Sequence, residues 1–410
     1  MGILGLRDTD DFVADQRPKN WREAVMRLYP NGNAPLFALT SVMKKGQTDD
    51  PEYSWWEKKF PNQRLVLSGN ITDVATTLAI TAGTDLTTGG ALQVKAGTVL
   101  YAEHTGELML VTADPTVDTS IVVSRAFAGS TNLAITVATQ NPHLLVVGTA
   151  HMEGVDTPTA ISYNPTKRFS YTQIFRNSLD MTRTASKTRL RTGDQVREAK
   201  RECLELHSVE IEKALWFGRR SEDLTGAQPR RTTDGIITVI ARDAAANVIP
   251  RSGAAYSMTL LETDMEAIFR FGSQEKMAYC GNLALLNIQR IIRLATGTSY
   301  NIKAGDKEYG MNVSRIVTPF GVLVLKSHPL FNLLTQVTGT YLGLISSMIV
   351  LDMAQLKYRP FVDADTKYLP DRQGNGIDGM KSEYLTECGL EIGHPQTHFH
   401  ITGINTAAAG

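Results

Sequence analysis

Cysteine is scarce in this chain. Cys203, Cys280 and Cys388 are the only three in 410 residues, an odd number set far apart. That excludes a disulfide framework and points to a reducing compartment. Net charge is absent as well, since 42 Lys and Arg balance 42 Asp and Glu. No global field therefore draws the molecule to nucleic acid or to a membrane surface. Long apolar runs are missing too: the longest, Tyr341–Leu351, carries two serines and falls far short of a membrane span. The opening Met1-Gly2-Ile3-Leu4-Gly5-Leu6-Arg7 is too short in its apolar part for a signal peptide. Leu6 also stands where a myristoylation signal has Ser or Thr. The expectation is a soluble, cytoplasmic chain with no membrane partner, long enough for two or three domains.

Catalytic signatures are also lacking. Thr87-Thr88-Gly89-Gly90 and Gly374-Asn375-Gly376 have neither the Lys-Ser/Thr of a phosphate-binding loop nor the strand–helix setting of a dinucleotide fingerprint, and read as turns. Asp352, Asp363 and Asp365 make no recognisable carboxylate pair, and no nucleophile elbow occurs. His394, His398 and His400 come nearest to a metal site, but no Cys or acidic spacing completes a four-ligand set. They read as polar residues of a packed strand. Trp55-Trp56-Glu57-Lys58-Lys59-Phe60 reads as a hydrophobic corner rather than a stacking platform, because no acidic pair accompanies it. Arg230-Arg231 after Pro229 reads as salt-bridging or phosphate-facing. No catalytic residue, metal or cofactor is expected, so the chain does not read as an enzyme.

What the chain does have is concentrated between Asn164 and Gly218. From Asn164 to Arg201 it carries ten Lys or Arg against three acids, which reads as a basic extended arm in need of acidic partners. Thr192-Gly193-Asp194-Gln195 has the form of a capping box. No proline or glycine follows until Gly218, placed for a left-handed C-cap. A helix over 193–217 would be about 35–40 Å long. Val196, Ala199, Cys203, Leu206 and Val209 make its apolar stripe, continued by Leu204, Ile211, Leu215 and Trp216. The other faces carry charge. A long helix behind a long basic arm, with no catalytic motif near either, is architectural.

Elsewhere the texture changes twice. Residues 1–35 read as a polar arm with one short helix, on which Trp21, Val25 and Leu28 share a face. Gly69–Val155 alternates β-branched runs with turns, giving six short strands around Leu78–Ile80, Leu92–Val94, Thr98–Tyr101, Glu107–Val111, Ser120–Arg125 and Leu144–Gly148. This is an inserted all-β module. After the long helix, a strand is expected at Gly235–Ile240, helices from Thr259 and Asn282, and a strand at Lys276–Cys280. A hairpin follows over Met311–Thr318 and Val322–Lys326, then a strand at Met348–Leu351. Gly297–Gly310 reads as a long exposed loop. Strands around Ser382–Ile392 and Thr397–Ile404 return under the long helix.

This order, an extended arm, then a long capped helix with a Glu-rich surface and an aromatic end, then α/β and terminal strands, resembles the major capsid proteins of tailed double-stranded DNA phages. The stretches Ser186-Lys187-Thr188 through Trp216-Phe217-Gly218-Arg219 and Thr233-Asp234-Gly235-Ile236 carry the likeness, which covers most of the chain outside Gly69–Val155. It implies an α+β fold of the Hong Kong 97 type. Residues 1–35 would be its N-terminal arm, 36–68 and 156–190 its elongated loop, and 69–155 an inserted β-domain. Residues 191–234 and 356–410 would form the peripheral domain, with 235–355 the axial one. The protein would self-assemble as pentamers and hexamers into an icosahedral shell, made in the bacterial cytoplasm. Decoration protein, scaffold, portal and packaged DNA would be its partners. Trp21, Lys167, Arg168, Arg176, Arg183, Lys187, Arg189 and Arg191 would meet neighbours, with Glu198, Glu202, Glu205 and Glu210 as acidic counterparts. Two other readings stay open: a tail or decoration component, and a cytoplasmic enzyme with a divergent site in 235–355.

Overall fold

The computed structural model describes residues 43–59, 61, 63–83, 90–188, 194–251, 255–294, 302–308, 311–333 and 344–405. The chain divides into two compact units, residues 55–168 and the remainder.

The 55–168 unit is a six-stranded sheet that closes on itself. Its strands run in the order 64–66, 143–149, 98–102, 108–111, 120–124 and 77–79. The first and last strands then meet through a Leu67–Ile80 bridge, with Ser68 N donating to Ala79 O at 2.9 Å and Thr81 N to Val66 O at 2.8 Å. Closure removes both exposed edges. Alternation along each strand sends Leu65, Leu78, Leu100, Met109, Ile121 and Leu144 into one dry core. Glu107 and Arg125 form a buried pair at 2.6 Å. Arg125 also donates to the carbonyls of Thr72, Ala75 and Leu133, and Glu107 accepts from the Ala126 and Leu133 amides. Removing either partner would strand a buried charge, at a cost of about 3–5 kcal/mol. Two details depart from expectation. Ala91–Gln93 is a single 3-10 turn rather than a strand, and the sixth strand is Arg64–Val66, which precedes the expected start at Gly69.

In the other unit, a seven-stranded mixed sheet runs in the order 248–250, 399–402, 348–351, 275–280, 321–327, 311–318 and 302–308. Helices cover both faces. Met277, Tyr279, Val324, Ile349 and Leu351 pack beneath Leu215 and Trp216 of the long helix and Ile236, Val239 and Ile240 of the helix after it. The alternate residues Ala278, Cys280, Leu325, Met348 and Val350 pack on helices Met258–Phe269 and Asn282–Leu294. The expected Gly297–Gly310 loop contains a strand, Ile302–Glu308. Phe399–Thr402 does not lie under the long helix. It fills this sheet between Val248–Pro250 and Met348–Leu351.

A second sheet runs in the order 44–45, 356–360, 379–392 and 173–182, with 367–369 paired to the 379–392 strand. Its long strand Gly379–Ile392 pairs with Gln173–Thr182 over ten residues. Within the expected basic arm, residues 173–182 are thus a strand of the chain's own sheet, and 183–187 are a short helix. Glu52–Glu57 and Thr166–Tyr171 form a further two-stranded ladder.

The stretch Gly235–Ile240 is a helix, Ile236–Asp243, despite its β-branched residues. Ile236, Val239 and Ile240 also satisfy helical spacing, and burying them against the long helix overrides the weak strand preference. Gly235 allows the approach: a Cβ there would lie 2.5 Å from Gly218 N. Gly218 ends the long helix with φ −55°, not the expected left-handed value. It is a close-approach glycine, since a Cβ would sit 2.5 Å from Ala214 O and 2.7 Å from Thr233 O.

Candidate assembly surface

The long helix spans Gln195–Phe217, and its N-cap is Asp194, whose carboxylate accepts from the Val196 and Arg197 amides at 3.0 and 3.4 Å. The expected cap, Thr192, lies outside the described residues. Its buried residues are Cys203, His207, Ser208, Ile211, Glu212, Leu215 and Trp216. Leu206, expected in the stripe, is 62% exposed, and Val209 is only half-buried. The opposite face presents Arg197, Arg201, Glu202, Leu206, Glu210, Lys213 and Phe217 to solvent. Among the glutamates singled out above, Glu202 and Glu210 are exposed and Glu198 and Glu205 half-buried. Arg201 Nε donates to Glu205 at 2.9 Å, one turn along.

Three of the basic residues, Arg168, Arg176 and Arg183, already have acidic partners within the chain. Arg168 meets Glu57 at 2.7 Å, while the Trp55 indole donates to the other oxygen of that carboxylate at 2.9 Å. Arg176 meets Glu383 at 2.6 Å and Arg183 meets Asp378 at 2.8 Å. Lys167 and Lys187 are exposed, Lys187 beside Arg183, Thr184 and Thr188 in a shallow cleft. Trp21, Arg189 and Arg191 lie outside the described residues. The Arg183–Asp378 pair is solvent-exposed on both sides, so it contributes only about 0–1 kcal/mol and can exchange partners.

A family model described as the SU10 major capsid protein matches residues 8–405. The chain belongs to the SU10 major capsid protein family. The major capsid protein of Pseudomonas phage PaMx41 is 26% identical over 411 residues, 95% of this chain and 93% of that one. Among solved structures, a capsid of an empty GTA particle shares 6% identity over 95% of this chain and 96% of that one, at a TM-score of 0.46. A Mycobacterium phage Bobi chain shares 6% over 95% and 96%, at 0.45.

Other polar residues of this capsid protein, not singled out by sequence reasoning, tie the long helix to its surroundings. Glu212, on the buried face, accepts from Trp216 Nε1 at 3.3 Å and from His328 Nε2 at 3.1 Å. The amide of Leu330 donates to His328 Nδ1 at 3.3 Å, which fixes the imidazole with its proton on Nε2. Trp216 packs edge-on against Tyr279 and Phe331 at 5.3 and 5.0 Å. Higher on the helix, His207 is held between Asn177 Oδ1 at 2.6 Å and Thr386 Oγ1 at 2.7 Å, and burial lowers its pKa. At the C-terminal corner Asp234 meets Arg242 at 3.0 Å and accepts from the Arg220 amide at 2.9 Å, while the Arg220 guanidinium stacks on Phe169 at 4.1 Å. The available signal was periodicity: His207 and Glu212 fall on the same face as Cys203, Ile211 and Leu215.

His398 and His400 are buried in the core of the seven-stranded unit. Among the described residues no three His, Cys, Asp or Glu gather to hold a metal ion. His398 accepts from the Asp352 amide at 3.2 Å, and burial pushes both His398 and His400 down to about 4. Lys276 is buried beside them and donates to the carbonyls of Ile268, Phe271 and Thr397 at 2.7, 2.6 and 2.8 Å. Burial brings it down to about 8, so at neutral pH it is still an ammonium, with a carbonyl for each of its three protons. Those bonds tie the end of helix Met258–Phe269 to the turn at Thr397. Cys203, Cys280 and Cys388 are buried thiols, and burial pushes Cys388 up to about 12.

Proposed function

We propose that this chain is the repeating subunit of an icosahedral head shell that encloses the double-stranded DNA of a tailed phage. Membership of the SU10 major capsid protein family over residues 8–405 carries the reading. The architecture supports it: a long helix braced on two sheets, an exposed charged helix face, and a self-contained barrel set into the chain. On the Hong Kong 97 plan, residues 1–35 serve as the arm and 36–68 with 156–190 as the elongated loop. Residues 191–234 with 356–410 are the peripheral domain, 235–355 the axial one. Lys167, Arg183, Lys187, Arg189 and Arg191 meet Glu198, Glu202, Glu205 and Glu210 of adjacent copies, while Arg168 and Arg176 hold Glu57 and Glu383 within the subunit, and Trp21 anchors the arm. The barrel contacts neighbouring capsomers or a decoration protein. Scaffold and portal act at assembly in the host cytoplasm, and packaged DNA lies against the inner wall without sequence reading. The subunit needs no cofactor and turns over no substrate. Native mass spectrometry of the expressed chain should show rings of five and six. A monomer alone at high concentration would refute the proposal.

A further inference from the structure

Among the described residues, the strand Gln173–Thr182 lies at one end of its sheet, bonded on one side only. Its partner reveals which groups are left over. Glu387, opposite Ile174, uses its amide and carbonyl on the far side, toward Ala364 and Phe361. Lys381, opposite Asp180, likewise turns its carbonyl to Arg372 and its amide to Gln373. The even residues of the strand are therefore non-bonded pairs in this ladder. Ile174, Arg176, Ser178 and Asp180 point their amides and carbonyls outward, with no hydrogen-bond partner among the described residues. The same residues have exposed side chains. The strand contains no proline, glycine, lysine or bulge, the usual guards of an open edge.

The charges on this edge decide what fits it. Arg176 and Asp180 are placed symmetrically about Ser178, and their side chains are 61% and 65% exposed. A second copy of the same strand, antiparallel and centred on Ser178, sets Arg176 opposite the neighbour's Asp180 and Asp180 opposite the neighbour's Arg176. Ile174 then faces Thr182. The outward amides and carbonyls of Arg176, Ser178 and Asp180 each meet one of the opposite kind, since the paired positions are all even. A parallel in-register pairing would instead align like charges, and an antiparallel slip would leave each charge without its opposite.

We propose that two subunits of the shell join edge to edge through this strand, across a two-fold axis at Ser178. The contact is isologous, each copy giving the same surface, and it joins two sheets into one. It rests on the shell-forming reading.

Ser178→Cys in the full chain tests it, because bonded antiparallel partners have Cα atoms about 5.5 Å apart, within disulfide reach. Oxidised shells should give disulfide-linked dimers in most subunits, while wild type, whose thiols are buried, and Ile174→Cys should give none. Arg176→Asp should lower shell yield at least tenfold, and adding Asp180→Arg should restore it. Intact Ser178→Cys shells without the link, an equal link from Ile174→Cys, or failure of the charge swap to rescue would each overturn this contact while leaving the shell reading intact. A wild-type chain that forms no assembly would overturn both.

Discussion

His398 and His400 sit in the core of the seven-stranded unit as neutral rings, at about 4 against an ordinary 6.5. The unfolded chain binds their protons first, so the stability they confer is complete above pH 6.5 and is lost as the pH falls towards 4. Each histidine accounts for up to about 3 kcal/mol over that window. Urea unfolding of the dissociated subunit at pH 7 and pH 4.5 should show a clear loss of midpoint, and His400→Leu should flatten it. An unchanged midpoint in wild type would contradict the assigned burial. From sequence these residues resembled an incomplete metal site. Their burial was not legible, because the strand Phe399–Thr402, which carries His400 and follows His398, pairs with segments about 50 and 150 residues away.

At the scale of elements, the long helix was the most legible feature. An uninterrupted run bounded by a capping segment and Gly218 left few alternatives. Its inward face was harder to read. His207, Ser208 and Glu212 are buried because Asn177, Thr386, Leu204 and His328 satisfy them, and polar residues on a buried face shift the apparent stripe. The helix at Ile236 was hidden by β-branched residues, and the close approach of Gly218 to Gly235 has no sequence signal beyond the glycines themselves. Trp216 is the keystone of this packing, fully buried and in contact with Tyr279, His328 and Phe331. Trp216→Ala should cost about 3–5 kcal/mol, measured by chemical denaturation. A loss below about 1 kcal/mol would show that the helix is held elsewhere.

On the scale of the whole molecule, the inserted β module was visible as a change of texture, and its closure into a barrel was not. Closure depends on the pairing of Arg64–Val66 and Thr77–Ala79 with strands far along the chain, and a three-residue strand carries almost no pattern. With its own core and no free edge, the barrel should be separable. Replacing residues 63–150 by a short linker should leave the helical circular dichroism of the remainder unchanged, whereas collapse of that signal would make the barrel part of the main core. The basic strand was legible as charge but not as structure, because its partner Gly379–Ile392 lies two hundred residues on. Reversing Arg183, Lys187 and Arg189 to Glu should keep the subunit folded and stop shell formation, more severely at low salt. Sedimentation without DNA decides this: fast-sedimenting empty shells would assign these charges to the packaged genome instead of to neighbouring subunits.

Copies of this chain are expected to close into a shell. Negative-stain electron microscopy of the purified full-length chain, over a range of concentrations, tests this most directly. Rings and closed, uniform particles should appear and become more abundant with concentration. A field of dispersed monomers at the highest concentration, from protein with its native N-terminus and an intact far-ultraviolet spectrum, would contradict it.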